Sequence, residues 1–378
     1  MPDRRQSPLI LFAGLFLTSM FLNTMPPLMV EFQRVFAISM GQSSVIPFAH
    51  SMGTILANIA AALVLSKIGT RKSTAIAVFA GAVGLAFAAT SHSLAGLTTG
   101  IFFIAVAFAV TITTFSVIYA HFPVSKQNFS MFHSFFGMGG LAAPVFVKFY
   151  LGRNFSYRYV YVTYLAFLIL FGLYIAFRPV SDYRVDDSPF HGVKKLMHSR
   201  FLIVITLLGL YSVSEMAIVV WAGNFFKASF SFTVETSAMM LSAFWIVFTL
   251  GRFFGDRQIR KFTAKSNARV MSGICLVLFS VFIFSPMRWS VTAFLLGALF
   301  MATIFPSIHF FLNRVAPDDV RAPLNAVLFL AVSTFGMVGV PLIGIVGDIN
   351  IRLGMSMMLV PFFLMLTVLP LMWKDKKV

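Results

Sequence analysis

Pro179-Val180-Ser181-Asp182-Tyr183-Arg184-Val185-Asp186-Asp187-Ser188-Pro189-Phe190-His191-Gly192-Val193-Lys194-Lys195-Leu196-Met197-His198-Ser199-Arg200 differs from every other connection in the chain. It is polar and carries charges of both signs. To either side lie apolar runs of about 20 residues, each long enough to cross a ~30 Å hydrocarbon core as a helix. Reading outward gives six runs before it, at roughly 8–30, 43–65, 73–91, 95–120, 130–152 and 159–178. Six follow, at 201–226, 235–255, 267–286, 290–311, 323–347 and 354–373. Only a helix satisfies its own backbone hydrogen bonds within one such segment, and barrel strands would show short alternating patterns instead. The expected fold is therefore all-α and integral to the membrane. Two six-helix bundles, 1–178 and 201–378, are joined by a cytoplasmic linker at 179–200. Within that linker, Phe190 to Arg200 has the character of a short amphipathic surface helix.

Composition agrees. Of 378 residues 59% are hydrophobic and 11% charged, against about 25% charged in a soluble domain. A soluble fold needs a polar exterior that this chain cannot supply. The 46 Phe, 21 Met and 25 Gly suit lipid-facing and closely packed membrane helices. A net charge of +17 would suggest nucleic acid in a soluble protein. Here the basic residues sit in loops, where they set topology, and no nucleic-acid partner is expected. With both termini in the cytoplasm, 22 of the 29 Lys and Arg lie on the cytoplasmic side. The other side keeps Arg34, Lys148, Arg153, Arg158, Lys227, Arg288 and Arg352. The positive-inside rule thus favours twelve spans with both ends inside. The first run, following Met1-Pro2-Asp3-Arg4-Arg5, is too long for a signal-peptide core and is expected to stay as the first span. The single cysteine, Cys275, excludes a disulfide within the chain and a Cys-rich metal site.

The two halves echo one another. Phe136-Gly137-Met138-Gly139-Gly140 opens the fifth span, with Pro144 following. Phe335-Gly336-Met337-Val338-Gly339 lies in the eleventh, with Pro341 following. Such small-residue faces let helices approach closely in lipid. Gly69-Thr70-Arg71-Lys72 and Asp256-Arg257-Gln258-Ile259-Arg260-Lys261 recur between the second and third spans of each half. A six-plus-six layout with matched motifs points to a duplicated transporter with its site between repeats.

At these residues the sequence resembles the major facilitator superfamily, whose signature after span two is roughly Gly-x-x-x-Asp-Arg-x-Gly-Arg-Arg. Gly251-Arg252-Phe253-Phe254-Gly255-Asp256-Arg257-Gln258-Ile259-Arg260-Lys261 matches its Asp-Arg-x-x-Arg part. In the first half Ser66 stands in place of the Asp and Ala62 in place of the first Gly, while Gly69, Arg71 and Lys72 remain. A narrower likeness is to the fucose–proton symporter branch. It is carried by Asn128, His133 and the glycines of span five, by Tyr211, Glu215 and Trp221, by Phe244-Trp245 with Gly251-Arg252, and by Ile304-Phe305-Pro306-Ser307. The resemblance implies alternating access and an interhelical latch at Gly69, Arg71, Arg252, Asp256, Arg257 and Arg260. The sugar importers of that branch carry carboxylates within spans one and four. Here Phe21-Leu22-Asn23-Thr24-Met25-Pro26-Pro27 and Ala109-Val110-Thr111-Ile112-Thr113-Thr114-Phe115 have none.

An ionisable group inside a span usually faces a cavity or a partner. Glu215, mid-span in helix seven, is the leading candidate for proton coupling or substrate binding; a structural hydrogen bond is the alternative. His50 and His309 are candidate relays, and His133, beside the glycines, is read as a packing residue. A three-histidine metal site has no ligand spacing to support it. Asn23, Asn224, Thr111, Tyr211 and Asn325 are candidate hydrogen-bonding groups for a solute. Trp221 and Trp245 could stack on it or serve packing. Gly137, Gly139, Gly140, Gly336 and Gly339 are assigned to helix packing. Pro26-Pro27 should break or kink span one, a candidate gate.

The leading function is secondary active transport of a small organic solute, proton-coupled and sugar-like in substrate, by a monomer in the cell (inner) membrane, without a cofactor. Efflux of an amphipathic compound is the alternative, and a non-transporting receptor or structural protein is the reading from another class. An enzyme is not expected, because no catalytic spacing of His, Asp, Glu or Ser stands at a membrane face. No filter-like loop indicates a channel, and no Gly-x-x-x-x-Gly-Lys-Ser/Thr loop indicates nucleotide hydrolysis.

Overall fold

The computed structural model describes residues 8–123, 129–184, 200–261, 263–316 and 318–372. Within these helices the side chains of 62, 64–66, 129, 130, 133, 253–261, 318–323 and 372 lie outside the description. All regular structure among the described residues is helical. Twelve helices are long and apolar enough to cross a membrane: Pro8–Phe36, Met40–Ala61, Lys67–Thr90, Leu94–Ala120, Ser134–Leu151 and Arg158–Phe177 in the first half, then Arg200–Phe230, Val234–Arg252, Ala264–Phe284, Met287–Val315, Leu324–Ile349 and Ile351–Leu371. These are spans one to twelve.

The chain divides into two compact units. One comprises Met1–Ile38, Val45–Ser188 and Val234–Ser242; the other comprises Ser39–Ser44, Pro189–Thr233 and Ala243–Val378. The short segments 39–44 and 234–242 therefore group apart from their sequence neighbours. In the first unit the core is aromatic, with Phe12 against Tyr119 at 5.5 Å and Tyr119 stacked on Phe132 at 5.3 Å. In the second, Phe225 meets Phe282 at 4.5 Å and Phe226 meets Phe294 at 5.1 Å. Large apolar side chains such as Phe79, Leu170 and Phe177 stand exposed. This inverts the soluble pattern and suits contact with lipid chains.

The ends and breaks follow from local chemistry. Side chains cap four span starts: Ser39 accepts from Gln42 N, Ser93 from Gly96 N, Thr263 from Ser266 N, and Asn350 from Arg352 N and Leu353 N. Spans two and three run as one element broken at Gly69, whose φ of 75° a side chain would resist. Span one is interrupted between Leu22 and Met25, ahead of Pro26 and Pro27. It resumes and extends to Phe36 rather than ending near residue 30, because two prolines at a helix start continue it. That extension brings a carboxylate, Glu31, into span one. It is buried and held bidentately by Arg34, at 2.7 and 2.8 Å.

The start of the expected linker is not free. Thr70 Oγ1 donates to Ser181 O at 2.7 Å and accepts from Tyr183 N at 2.9 Å, while Thr70 N donates to Tyr183 O. Asp182 Oδ1 accepts from Arg71 N at 3.1 Å, capping span three at Gly69. Val180 is buried among Leu11, Phe12 and Phe132, and Tyr183 stacks on His121 at 3.9 Å. The candidate surface helix at 190–200 lies, but for Arg200, outside the described residues.

Candidate functional site

Glu215 occupies the middle of span seven. Its Oε1 lies 4.0 Å from Nη2 of Arg252, at the end of span eight, and the two side chains are 22% and 44% exposed. An unpaired carboxylate at this depth would be expensive, and an opposite charge nearby offsets that penalty. The Arg252 guanidinium also lies over the Phe248 ring, 4.6 Å from its centre. Arg252, expected in a cytoplasmic latch, thus pairs with Glu215. The side chains of its expected companions Asp256, Arg257 and Arg260 lie outside the described residues.

The pair sits beside a break in span ten. That span comprises a helix over Met287–Met301 and another over Ile304–Val315. Pro306 has no N–H to give to the Ala302 carbonyl four residues earlier. Neighbouring spans converge on this point. Tyr211, one turn before Glu215, donates its hydroxyl to Met301 O at 2.8 Å. Gly251, next to Arg252, faces the Leu299 carbonyl so closely that a Cβ there would collide with it. From span nine, Asn267 donates to Ser307 Oγ at 2.9 Å, and Ser307 in turn donates to Thr303 O at 2.6 Å. Asn267 Oδ1 is buried with no hydrogen-bond partner among the described residues. A broken helix with buried polar neighbours is a recurring setting for transporter sites.

Two turns along span ten, His309 Nε2 lies 2.7 Å from Asn325 Oδ1 of span eleven. Asn325 and Asn313 exchange amide hydrogen bonds at 2.8 and 3.1 Å. Phe305 and Phe329 flank the imidazole, each with its ring centre 5.8 Å away. This amide–imidazole group is half-buried.

The structure therefore brings Glu215, Tyr211 and Arg252 together, and joins His309 to Asn325. Other candidates are buried away from this pair. Trp221 is fully buried and its indole N–H donates to Val340 O at 2.8 Å. Trp245 is buried edge-on to Phe244 and Phe248. Asn23 Nδ2 donates to Ser19 O at 2.8 Å, on its own helix. His50, Thr111 and Asn224 are buried within their spans. A Cβ at Gly139 would lie 2.7 Å from Ser19 Cβ, and one at Gly339 would collide with Val213, so span five meets span one as span eleven meets span seven. Gly336 has more room, 3.5 Å to Met216 Sδ. Gly140 is buried, Gly137 half-buried, and the His133 side chain lies outside the described residues. Sequence reading missed Asn267 and Asn313. The signal available was a carboxamide near the end of a span, facing Ser307 in one case and Asn325 in the other.

Known proteins place this architecture. Residues 11–339 match the family described as Major Facilitator Superfamily. A protein TsgA homolog from Edwardsiella ictaluri (strain 93-146) is 24% identical over 220 residues, covering 56% of this chain and 55% of the relative. The chain thus spans about half the length of the curated relatives it matches. A crystal structure of a mutant of the nucleoside transporter NupG superposes with a TM-score of 0.80 at 15% identity, covering 97% of this chain and all of that one. The fucose:proton transporter FucP, in its outward conformation, gives 0.67 at 18% identity, over 97% of this chain and 99% of that one.

Proposed function

Because the chain belongs to the Major Facilitator Superfamily, we propose that it carries a small polar organic solute across a bacterial inner membrane by alternating access, coupled to protons through Glu215. The observation that carries this reading is the loose Glu215–Arg252 pair. At 4.0 Å with both side chains partly exposed, it has not closed into a hydrogen bond. A carboxylate held this way can take up and release a proton. The contrast is Glu31, locked by two short bonds to Arg34 and buried. A sugar-like solute is supported by the fucose and nucleoside cargoes named for the two structural neighbours, and by the amide–imidazole group at His309, Asn313 and Asn325. The protein works as a monomer with both termini in the cytoplasm.

The test is proteoliposomes holding a pH-sensitive dye, with wild type beside Glu215→Gln. The expected result is solute-dependent proton uptake in wild type that is lost in the variant. If wild type moves a labelled solute without protons, and the variant does the same, Glu215 is structural and the coupling reading falls.

A further inference from the structure

The charges of the Glu215–Arg252 pair restrict what the solute can be. An arginine guanidinium is a permanent cation at physiological pH. With Glu215 ionised, the site is neutral. When Glu215 takes a proton, Arg252 at the end of span eight loses the counter-charge it has among the described residues, an unfavourable state. Among the described residues, the other ionisable groups on the surrounding helices supply no second negative charge. Tyr211 gives its hydrogen to Met301 O, Cys275 gives its weak one to Gly297 O, and His309 is joined to Asn325. What remains is a planar guanidinium, 44% exposed, resting on Phe248 with its fork of N–H donors released. A carboxylate satisfies that fork in bidentate fashion.

From this we infer that the solute is a small organic monoanion, a carboxylate such as a sugar acid or hydroxy acid, which Arg252 binds when Glu215 is protonated. The inference rests on proton coupling through Glu215 and names the class of solute at the same site. Its charge balance closes. The empty site holds Glu⁻ and Arg⁺ and is neutral. The loaded site holds GluH, Arg⁺ and one carboxylate and is neutral again. The two half-loaded states carry +1 with a proton alone and −1 with an anion alone. Reorientation is thus favoured for the empty and fully loaded forms, which couples the proton to the anion and moves no net charge. The proton enters on the Glu215 carboxyl and leaves from it on the other side, and no bond in the solute changes. A phosphate ester, near −2 at neutral pH, would leave the loaded site negative and is disfavoured.

The experiment uses the full-length protein in proteoliposomes with trapped pH dye and matched pairs of probes: D-glucuronate with D-glucose, D-galacturonate with D-galactose, and L-lactate with glycerol. Each is run with and without a potassium diffusion potential. At least one carboxylate should acidify the lumen while its neutral partner does not, and the potential should leave the rate unchanged. Arg252→Lys, which keeps the charge and loses the fork, should slow it about tenfold. The double variant Glu215→Gln/Arg252→Gln keeps the site neutral and so remains foldable. It should lose the rise in melting temperature that the active carboxylate gives wild type. Proton entry driven by a neutral probe and lost in Glu215→Gln would overturn the anion inference while leaving proton coupling intact. Silence of every carboxylate, a rate that follows the potential, or retained carboxylate stabilisation in the double variant would each overturn it as well. Probe uptake without protons in both wild type and Glu215→Gln would remove both readings together.

Discussion

Asn267 illustrates how a single buried amide can hold a broken helix. Its Nδ2 reaches Ser307 Oγ at 2.9 Å, one turn past the interruption in span ten, and its own backbone belongs to span nine. Interhelical hydrogen bonds of this kind average about 0.6 kcal/mol in membrane proteins, rising to about 1.7. Asn267→Ala should therefore lower stability by about 1 kcal/mol, read by denaturant titration in detergent. An unchanged midpoint would mean that water or lipid already satisfies the amide. Glu215 teaches a related lesson. Its mid-span position was evident from the chain, but its pairing with Arg252 was not, because Arg252 belongs to a motif read as a cytoplasmic latch.

Between helices, the glycines separate into those that need their missing side chain and those that do not. At Gly139 an added methyl would meet Ser19 Cβ at 2.7 Å and the Met20 backbone nitrogen at 2.8 Å, and backbone cannot yield as a side-chain tip can. At Gly336 the nearest atom is Met216 Sδ at 3.5 Å, an ordinary contact with a flexible thioether. Gly139→Ala should cost about 1–3 kcal/mol as overpacking does, and Gly336→Ala close to none. Melting temperatures of the two purified variants check this, and equal losses would refute the geometric distinction. Both glycines come from the same repeated motif, so the motif alone does not rank them. The same holds for the breaks. Pro26 and Pro27 announced the one in span one. The one in span ten needed Pro306 to be seen against Tyr211, Gly251 and Asn267.

For the whole chain, the expected orientation rests on charge distribution. Placing both ends inside puts 22 of 29 basic residues on the cytoplasmic side, and the reverse orientation inverts the ratio. Reporter fusions at residues 1 and 378 should both be active in the cytoplasm, and a periplasmic signal from either would break the twelve-span orientation. The docked strap at Val180–Tyr183 belongs to this scale too. It ties the end of span six to Thr70 and Arg71, so the polar connection that separates the two sequence halves begins only after Tyr183.

Twelve apolar runs, their repeated glycines and the loop charges determined span number and fold class. Hydrophobic length and the need to close backbone hydrogen bonds within each segment are local properties that a sequence states outright. Glu215 stood out for the same reason, a charge where lipid-depth residues should be apolar. Which partner lies beside it, which tryptophans are buried, and where span one truly ends were decided only in three dimensions. Those outcomes depend on side chains from helices distant in sequence meeting within a few ångströms, and no periodicity along one segment encodes that meeting.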